Sequence, residues 1–264
     1  MRLILDIRKT VEQNAAGYFE RAKKFKHKAQ GAREAVARFN VQLQKFKETK
    51  AGAALPEKST RLIKEQKSKQ WYEKFRWFLS SEGILCIGGR DATSNEILLK
   101  KHTDKHDLVC HTDAPGSPFF VVKTEGVIPS QATVDEALQA TASYSRAWKL
   151  GVSVADAYCV KPEQVTKTAP SGESLSAKGS FMITGKRETA SVGLKLAIGV
   201  LSDGRIMAGP ETAVRKHCAK VMFVVQSDDK PSDAAKKIRK YLGAGELDEI
   251  IRALPAGGSK VVGM

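Results

Sequence analysis

Ile84-Leu85-Cys86-Ile87-Gly88-Gly89-Arg90-Asp91-Ala92-Thr93-Ser94-Asn95-Glu96 is where the chain changes its period. A short apolar run ends on paired glycines, and a helix-forming run follows, which is the signature of a strand, a tight turn and a helix N-terminus. Upstream the pattern is different. From Val11 the apolar residues fall at Val11, Ala15, Tyr18, Ala22, Phe25, Ala29, Ala32, Val36, Phe39, Leu43 and Phe46, alternating four and three apart. That spacing is a heptad seam on one face of a long helix. Thr10 with Gln13 three residues later forms a capping-box pattern, so the helix starts there, and it ends near Lys50, before Ala51-Gly52-Ala53-Ala54-Leu55-Pro56. At 1.5 Å per residue such a rod is roughly 55 to 60 Å long. A single apolar stripe needs a partner, and Leu62, Ile63, Gln66, Trp71, Phe75 and Phe78 supply one on a returning helix, giving an antiparallel helical hairpin.

Downstream, short apolar runs at 84–87, 108–110, 119–123, 157–160, 180–184, 194–200 and 221–225 predict strands. Helical periods at 95–102, 133–150, 212–218, 234–242 and 247–253 alternate with them irregularly. Without a regular βαβ repeat, the pattern predicts an α+β fold: a long coiled-coil hairpin, then a mixed, largely antiparallel sheet with flanking helices. The expected division is a basic coiled-coil hairpin at 1–75, an α/β domain at 76–226 and a C-terminal helical extension at 227–264.

The 264 residues carry 44 Lys and Arg against 29 Asp and Glu, a formal +15, which favours a polyanionic partner. The excess is localised: residues 1–74 hold 19 basic and 8 acidic side chains, and the rest hold 25 and 21. Cys86, Cys110, Cys159 and Cys218 have no C-x-x-C spacing, so no metal site is expected, and reduced, buried thiols are. No signal peptide and no long apolar stretch is apparent, which predicts a cytoplasmic protein with no membrane partner.

Several constellations bear on chemistry. Trp71-Tyr72-Glu73-Lys74-Phe75-Arg76-Trp77-Phe78 is the most aromatic stretch, and its aromatic residues read first as core, with base stacking as the alternative. Gly88 and Gly89 allow a close backbone approach, and a phosphate would suit the helix N-terminus behind them. Arg90 there reads equally as a phosphate contact oriented by Asp91 or as an ion pair with Asp91 closing the turn, while Asn95 offers an amide from the helix. His111 and Asp113 share one side of a strand, either as a hydrogen-bonded loop pair, as an RNA contact or as an acid-base pair. Lys167 and Thr168, and Lys186 and Arg187, are loop or strand-end donors that fit a phosphate or a plain solvated turn. On the first helix Lys23, Lys24, Lys26 and Lys28 lead an excess of cations, read either as a solvated surface or as phosphate contacts.

Taken in order, these pieces resemble one family. Lys74-Phe75-Arg76-Trp77-Phe78, Gly88-Gly89-Arg90-Asp91-Ala92 and Asn95-Glu96 resemble the opening of the RNA-binding domain of the NFACT proteins. His111-Thr112-Asp113 with Gly116, Lys167-Thr168-Ala169-Pro170-Ser171-Gly172-Glu173, and Gly179-Ser180-Phe181-Met182-Ile183 with Gly185-Lys186 follow in the family's order. Leu5-Asp6, Asn14-Ala15 and Tyr18-Phe19 are similar to the start of its coiled coil, and Lys216-His217-Cys218 with Leu247-Asp248-Glu249 and Ala253-Leu254-Pro255 are similar to archaeal members. The resemblance implies an RNA-binding factor of ribosome-associated quality control. Its partners would be large-subunit rRNA and tRNA at stalled nascent chains, where the family supports mRNA-independent C-terminal tailing. The ribosome makes that bond, so no catalytic residue and no cofactor is expected. The family's N-terminal half is not in this sequence, which implies either a split factor whose partner protein carries that half or an excised C-terminal half. A general RNA-binding adaptor acting through its coiled coil is the alternative.

Overall fold

The computed structural model describes residues 5–7, 10–51, 70–114, 116–168 and 179–262, except the side chains at 21, 24, 32, 35, 38, 39 and 42–51. The chain divides into two compact units, Met1–Lys67 and Ser68–Met264. In the first, helix α1 runs over Val11–Ala51, 41 residues. Its start is the capping box of the sequence: Gln13 N–H donates to Thr10 Oγ1 at 3.2 Å and Thr10 N–H to Gln13 Oε1 at 3.1 Å. Asn14 then ties the preceding residues down, accepting from Asp6 N–H at 2.9 Å and donating to the Asp6 carbonyl at 3.0 Å. Along the expected seam Val11, Phe25 and Val36 are exposed. The returning arm through Leu62, Ile63 and Gln66 lies outside the described residues.

The three aromatics assigned to that arm belong instead to the second unit. Trp71–Lys74 is one turn of 3-10 helix, and Arg76–Leu79 is a strand, β1. Gly83, at φ 84°, closes a turn in which Ser80 N–H donates to the Ile84 carbonyl at 2.8 Å. The turn lays β1 antiparallel on β2 (Leu85–Gly88), Trp77 opposite Ile87. Strand pairing thus overrides the four-and-three spacing of Trp71, Phe75 and Phe78.

The elements that follow are α2 (Ala92–Lys101), β3 (Leu108–Thr112), β4 (Phe120–Val122), α3 (Gln131–Ser143), α4 (Arg146–Lys149) and β5 (Val154–Val160). Then come β6 (Val165–Thr166), β7 (Met182–Ile183), β8 (Thr189–Gly193), β9 (Leu196–Leu201), β10 (Ile206–Gly209), α5 (Glu211–His217) and β11 (Cys218–Gln226). The chain closes with α6 (Pro231–Leu242), α7 (Leu247–Ala253) and β12 (Ser259–Val262). One sheet has the order β1-β2-β4-β3-β5-β8, a second β10-β9-β11-β12, and β6 pairs with β7 apart from both. All the strand pairs described are antiparallel.

The fold is α+β with flanking helices. Alternation along the strands of the first sheet feeds two cores, since successive side chains point to opposite faces. Cys86, Cys110, Phe120 and Val122 face the main core with α3 and the second sheet, while Ile87, Val109 and Val121 face a smaller one with Leu98 of α2 and Ile183 of β7. The two sheets meet where β1 approaches β10, with Leu79 N–H directed at the Met207 sulfur at 3.4 Å. The segment 227–264, expected as a helical extension, is built into this unit. Its β12 pairs with β11, and Ile238 and Ile250 are fully buried.

Two further expectations change. Cys110 and Cys159 sit opposite each other on β3 and β5 and form a disulfide, whereas Cys86 and Cys218 are free and buried. The pairing is invisible in the sequence because it depends on strand register. The helix expected over 133–150 breaks at Tyr144, and Ser145 starts α4 by accepting from Ala147 N–H at 3.1 Å. Among the described residues no helix is long and apolar enough to cross a membrane.

Candidate nucleic-acid interface

The turn at Gly88-Gly89 sets the geometry of a cleft. A side chain at Gly89 would run into Asn95 Oδ1, at 1.8 Å from its Cβ, so glycine is what lets the Asn95 amide reach across the turn. There Asn95 Oδ1 accepts from Phe119 N–H at 3.2 Å. Asp91, next to it, is the N-cap of α2. Its carboxylate accepts from Ser94 N–H at 2.7 Å, and that bond is the largest cause of its depressed pKa, ahead of Arg90.

Arg90 therefore makes no ion pair with Asp91 among the described residues. Its Nη2 donates to the Phe75 carbonyl at 2.8 Å and its Nη1 to the Arg252 carbonyl at 3.2 Å, while Nε is buried without a partner. Burial first, and then the neighbouring Arg76 guanidinium, pull its pKa down. Arg76 lies over the Tyr144 ring at 4.2 Å and donates to the Leu254 carbonyl at 3.0 Å. Two guanidiniums are thus held near each other by carbonyls and an aromatic face. Neither makes an ion pair among the described residues.

Arg90, Asp91, Asn95 and His111 line one cleft of about 710 Å³, together with Arg76, Arg146 and Lys149. Arg146 and Lys149 are exposed, and they too are without an ion pair among the described residues. A cleft lined by four cations and a single carboxylate, Asp91, which is directed at a helix N-terminus, presents positive charge to whatever enters. His111 adds an uncharged edge. Its ring stacks on Phe119 at 3.9 Å, and Nδ1–H donates to the Pro118 carbonyl at 2.9 Å. Burial lowers its pKa against the smaller opposing effects of that bond and of Asp113.

The other expected residues border this cleft or stand apart from it. Lys167 pairs with Glu96 at 3.0 Å and lies over Phe181, whose ring lines the cleft. Glu96, held near pKa 2 by Lys100 and then Lys167, also accepts from Gly179 N–H at 3.4 Å. Arg187 pairs with Asp113 at 3.0 Å and covers Tyr158. Thr168 and Lys186 are exposed, the former held by Thr168 N–H donating to Thr166 Oγ1 at 3.0 Å. On α1, Lys23, Lys26 and Lys28 are exposed without ion pairs among the described residues, and the Lys24 side chain lies outside them. Arg76, Arg146 and Lys149 were not anticipated. Arg146 and Lys149 were hidden inside a run that reads as one continuous helix, and only a Tyr-Ser step marks the break.

Residues 74–185, which include every residue named above as lining the cleft, match the family described as the NFACT protein RNA binding domain. The chain is 39% identical over 216 residues to the archaeal Rqc2 homolog aRqcH of Methanocaldococcus jannaschii, covering 79% of this chain and 32% of that protein. It is 38% identical over 175 residues to the human ribosome quality control complex subunit NEMF, covering 64% of this chain and 16% of that protein. It therefore spans about a third of the length of the first relative and less of the second. The C-terminal part of the fibronectin/fibrinogen-binding protein of Streptococcus suis aligns with 70% of this chain and 77% of its own at 19% identity and a TM-score of 0.39, too slight a likeness to describe this fold. With the RNA-binding domain matched across the strands and turns that build the cleft, and with those relatives beside it, the chain belongs to the NFACT family.

Proposed function

We propose that this chain is an RNA-binding factor of ribosome-associated quality control. It engages large-subunit rRNA and tRNA at stalled nascent chains and supports mRNA-independent tailing by positioning RNA, with no catalytic group of its own. The observation that carries the proposal is the cleft of Arg76, Arg90, Arg146 and Lys149, whose charges meet no carboxylate in an ion pair among the described residues and so call for an external anion. The names of the archaeal and human relatives support the ribosomal setting.

Sedimentation tests it. The chain is expected to travel with large subunits carrying peptidyl-tRNA in preference to empty subunits or free RNA. Equal association with any RNA would instead favour a general adaptor that anchors other proteins through α1, a reading supported by the exposure of Val11, Phe25 and Val36 along that helix.

A further inference from the structure

Asn95 and His111 are both fixed by Phe119, and the way each is fixed determines what it has left for a ligand. The Phe119 N–H must meet an oxygen, so Asn95 presents Oδ1 to it and keeps Nδ2, a donor. The Pro118 carbonyl must meet a proton, so His111 Nδ1 carries one and Nε2 is an acceptor. Neither Nδ2 nor Nε2 has a hydrogen-bond partner among the described residues. Only Arg90 Nε and Ser259 Oγ are unpartnered there and closed to solvent, so the two atoms are open, and both residues line the same cleft. Phe181, half-buried and edge-on to Phe119 with ring centroids 5.6 Å apart, gives that cleft an aromatic wall. Arg146 and Lys149 stand exposed along its lining.

The geometry points to a pocket for one unpaired RNA nucleotide, its base edge on Asn95 Nδ2 and His111 Nε2, the base beside Phe181, and its phosphate on Arg146 and Lys149. This rests on the RNA-binding reading above and narrows it. Every base carries a donor beside an acceptor on its pairing edge, so the pocket selects for an edge that is free rather than for one base. In a duplex that edge is already paired and stacked. Asn95 is only 7% exposed, so the backbone of an intact helix passing over the surface cannot present a base to it, whereas a nucleotide splayed from a loop or strand can. Cations alone would make no such distinction, because phosphates are common to both forms.

The test compares a short mixed-sequence single-stranded RNA with the duplex of the same sequence, using the full chain. Tighter binding of the single strand is expected, and the Asn95 side-chain amide resonances should move on adding the single strand and stay in place with the duplex. Asn95→Asp keeps the oxygen that Phe119 N–H needs and turns the free donor into an acceptor. It should weaken single-strand binding about tenfold more than duplex binding, which shares only the repulsion of phosphates by the added charge. Should that variant fail to fold, the amide resonances of the unaltered chain decide. Binding of both RNAs with equal affinity and an unmoved Asn95 amide overturns the pocket alone; binding of neither overturns the RNA-binding reading itself.

Discussion

The Arg90 guanidinium donates to the Phe75 carbonyl at 2.8 Å, across the 15 residues that separate the 3-10 turn from the loop after β2. Phe75 is 1% exposed and Arg90 Nη1 reaches on to the Arg252 carbonyl, so one side chain joins the start of the domain, its first turn and α7. Arg90→Ala leaves a carbonyl in a mostly buried site without its charged donor, a loss of about 2 kcal/mol. A lowered melting temperature is expected, and Arg90→Lys should restore little of it because an ammonium cannot span both carbonyls. RNA affinity of the folded fraction should fall less than for changes at Arg146 or Lys149. A variant with unchanged melting and a large affinity loss would assign Arg90 to RNA contact instead.

What could be seen in the sequence was what local chemistry decides. Thr10 and Gln13 cap α1 through bonds within one turn, so its first residue was legible. Gly88-Gly89 announced a turn, and Asn95 an amide behind it, but that amide's partner, Phe119, is 24 residues away and appears only when β4 lies beside β2. The same limit hid β1. Trp71, Phe75 and Phe78 keep a helical spacing, and what makes Arg76–Leu79 a strand is its pairing with Leu85–Gly88, a tertiary fact. Arg146 and Lys149 were illegible as site residues for a related reason, since cations within a run that reads as one continuous helix carry no signal until a cleft forms around them.

His111 gives the fold a pH dependence of known sign. Burial lowers its pKa from the ordinary value, against the smaller opposing effects of the Pro118 carbonyl and Asp113 and assisted by Arg187. In the unfolded chain the imidazole takes a proton near pH 6.5, so below that pH the unfolded state binds more protons than the folded one. The contribution is present above about pH 6.5 and is lost as pH falls toward the folded value. His102, lowered chiefly by burial, acts in the same direction. Melting temperature is expected to drop on acidification across this window, and His111→Gln should make the drop shallower. A slope unchanged by that substitution would show that His111 is not the group titrating.

The cysteines separate into two classes that chemistry can count. Cys110 and Cys159 are joined, whereas Cys86 and Cys218 are buried thiols, and burial pushes Cys218 up to about 11. Alkylation of the native protein near neutral pH should be slow, because the thiolate is the reactive form. In denaturant without reductant, label is expected on Cys86 and Cys218 alone, and reductant should add Cys110 and Cys159. Labelling of all four without reductant would show the pair to be open in the protein as purified.

Salt dependence distinguishes the two basic regions, because each phosphate contact removed lowers the slope of log affinity against log salt by roughly 0.7 to 0.9. Arg146 and Lys149 are exposed and outside any ion pair among the described residues, so Arg146→Gln with Lys149→Gln should cost little stability, within about 0.5 kcal/mol. If both meet phosphates, the slope flattens by roughly 1.4 to 1.8. Lys23, Lys24, Lys26 and Lys28 changed together to Gln apply the same measure to α1, where Lys23, Lys26 and Lys28 are exposed. A flattened slope there as well means that RNA runs over both units, and the two losses should add, because contacts on separate phosphates release their counterions independently. An unchanged slope from the helix variant, beside a flattened one from the cleft variant, would reduce α1 to a solvated rod and leave the domain as the RNA-binding part. An unchanged slope from the cleft variant would remove Arg146 and Lys149 from the interface.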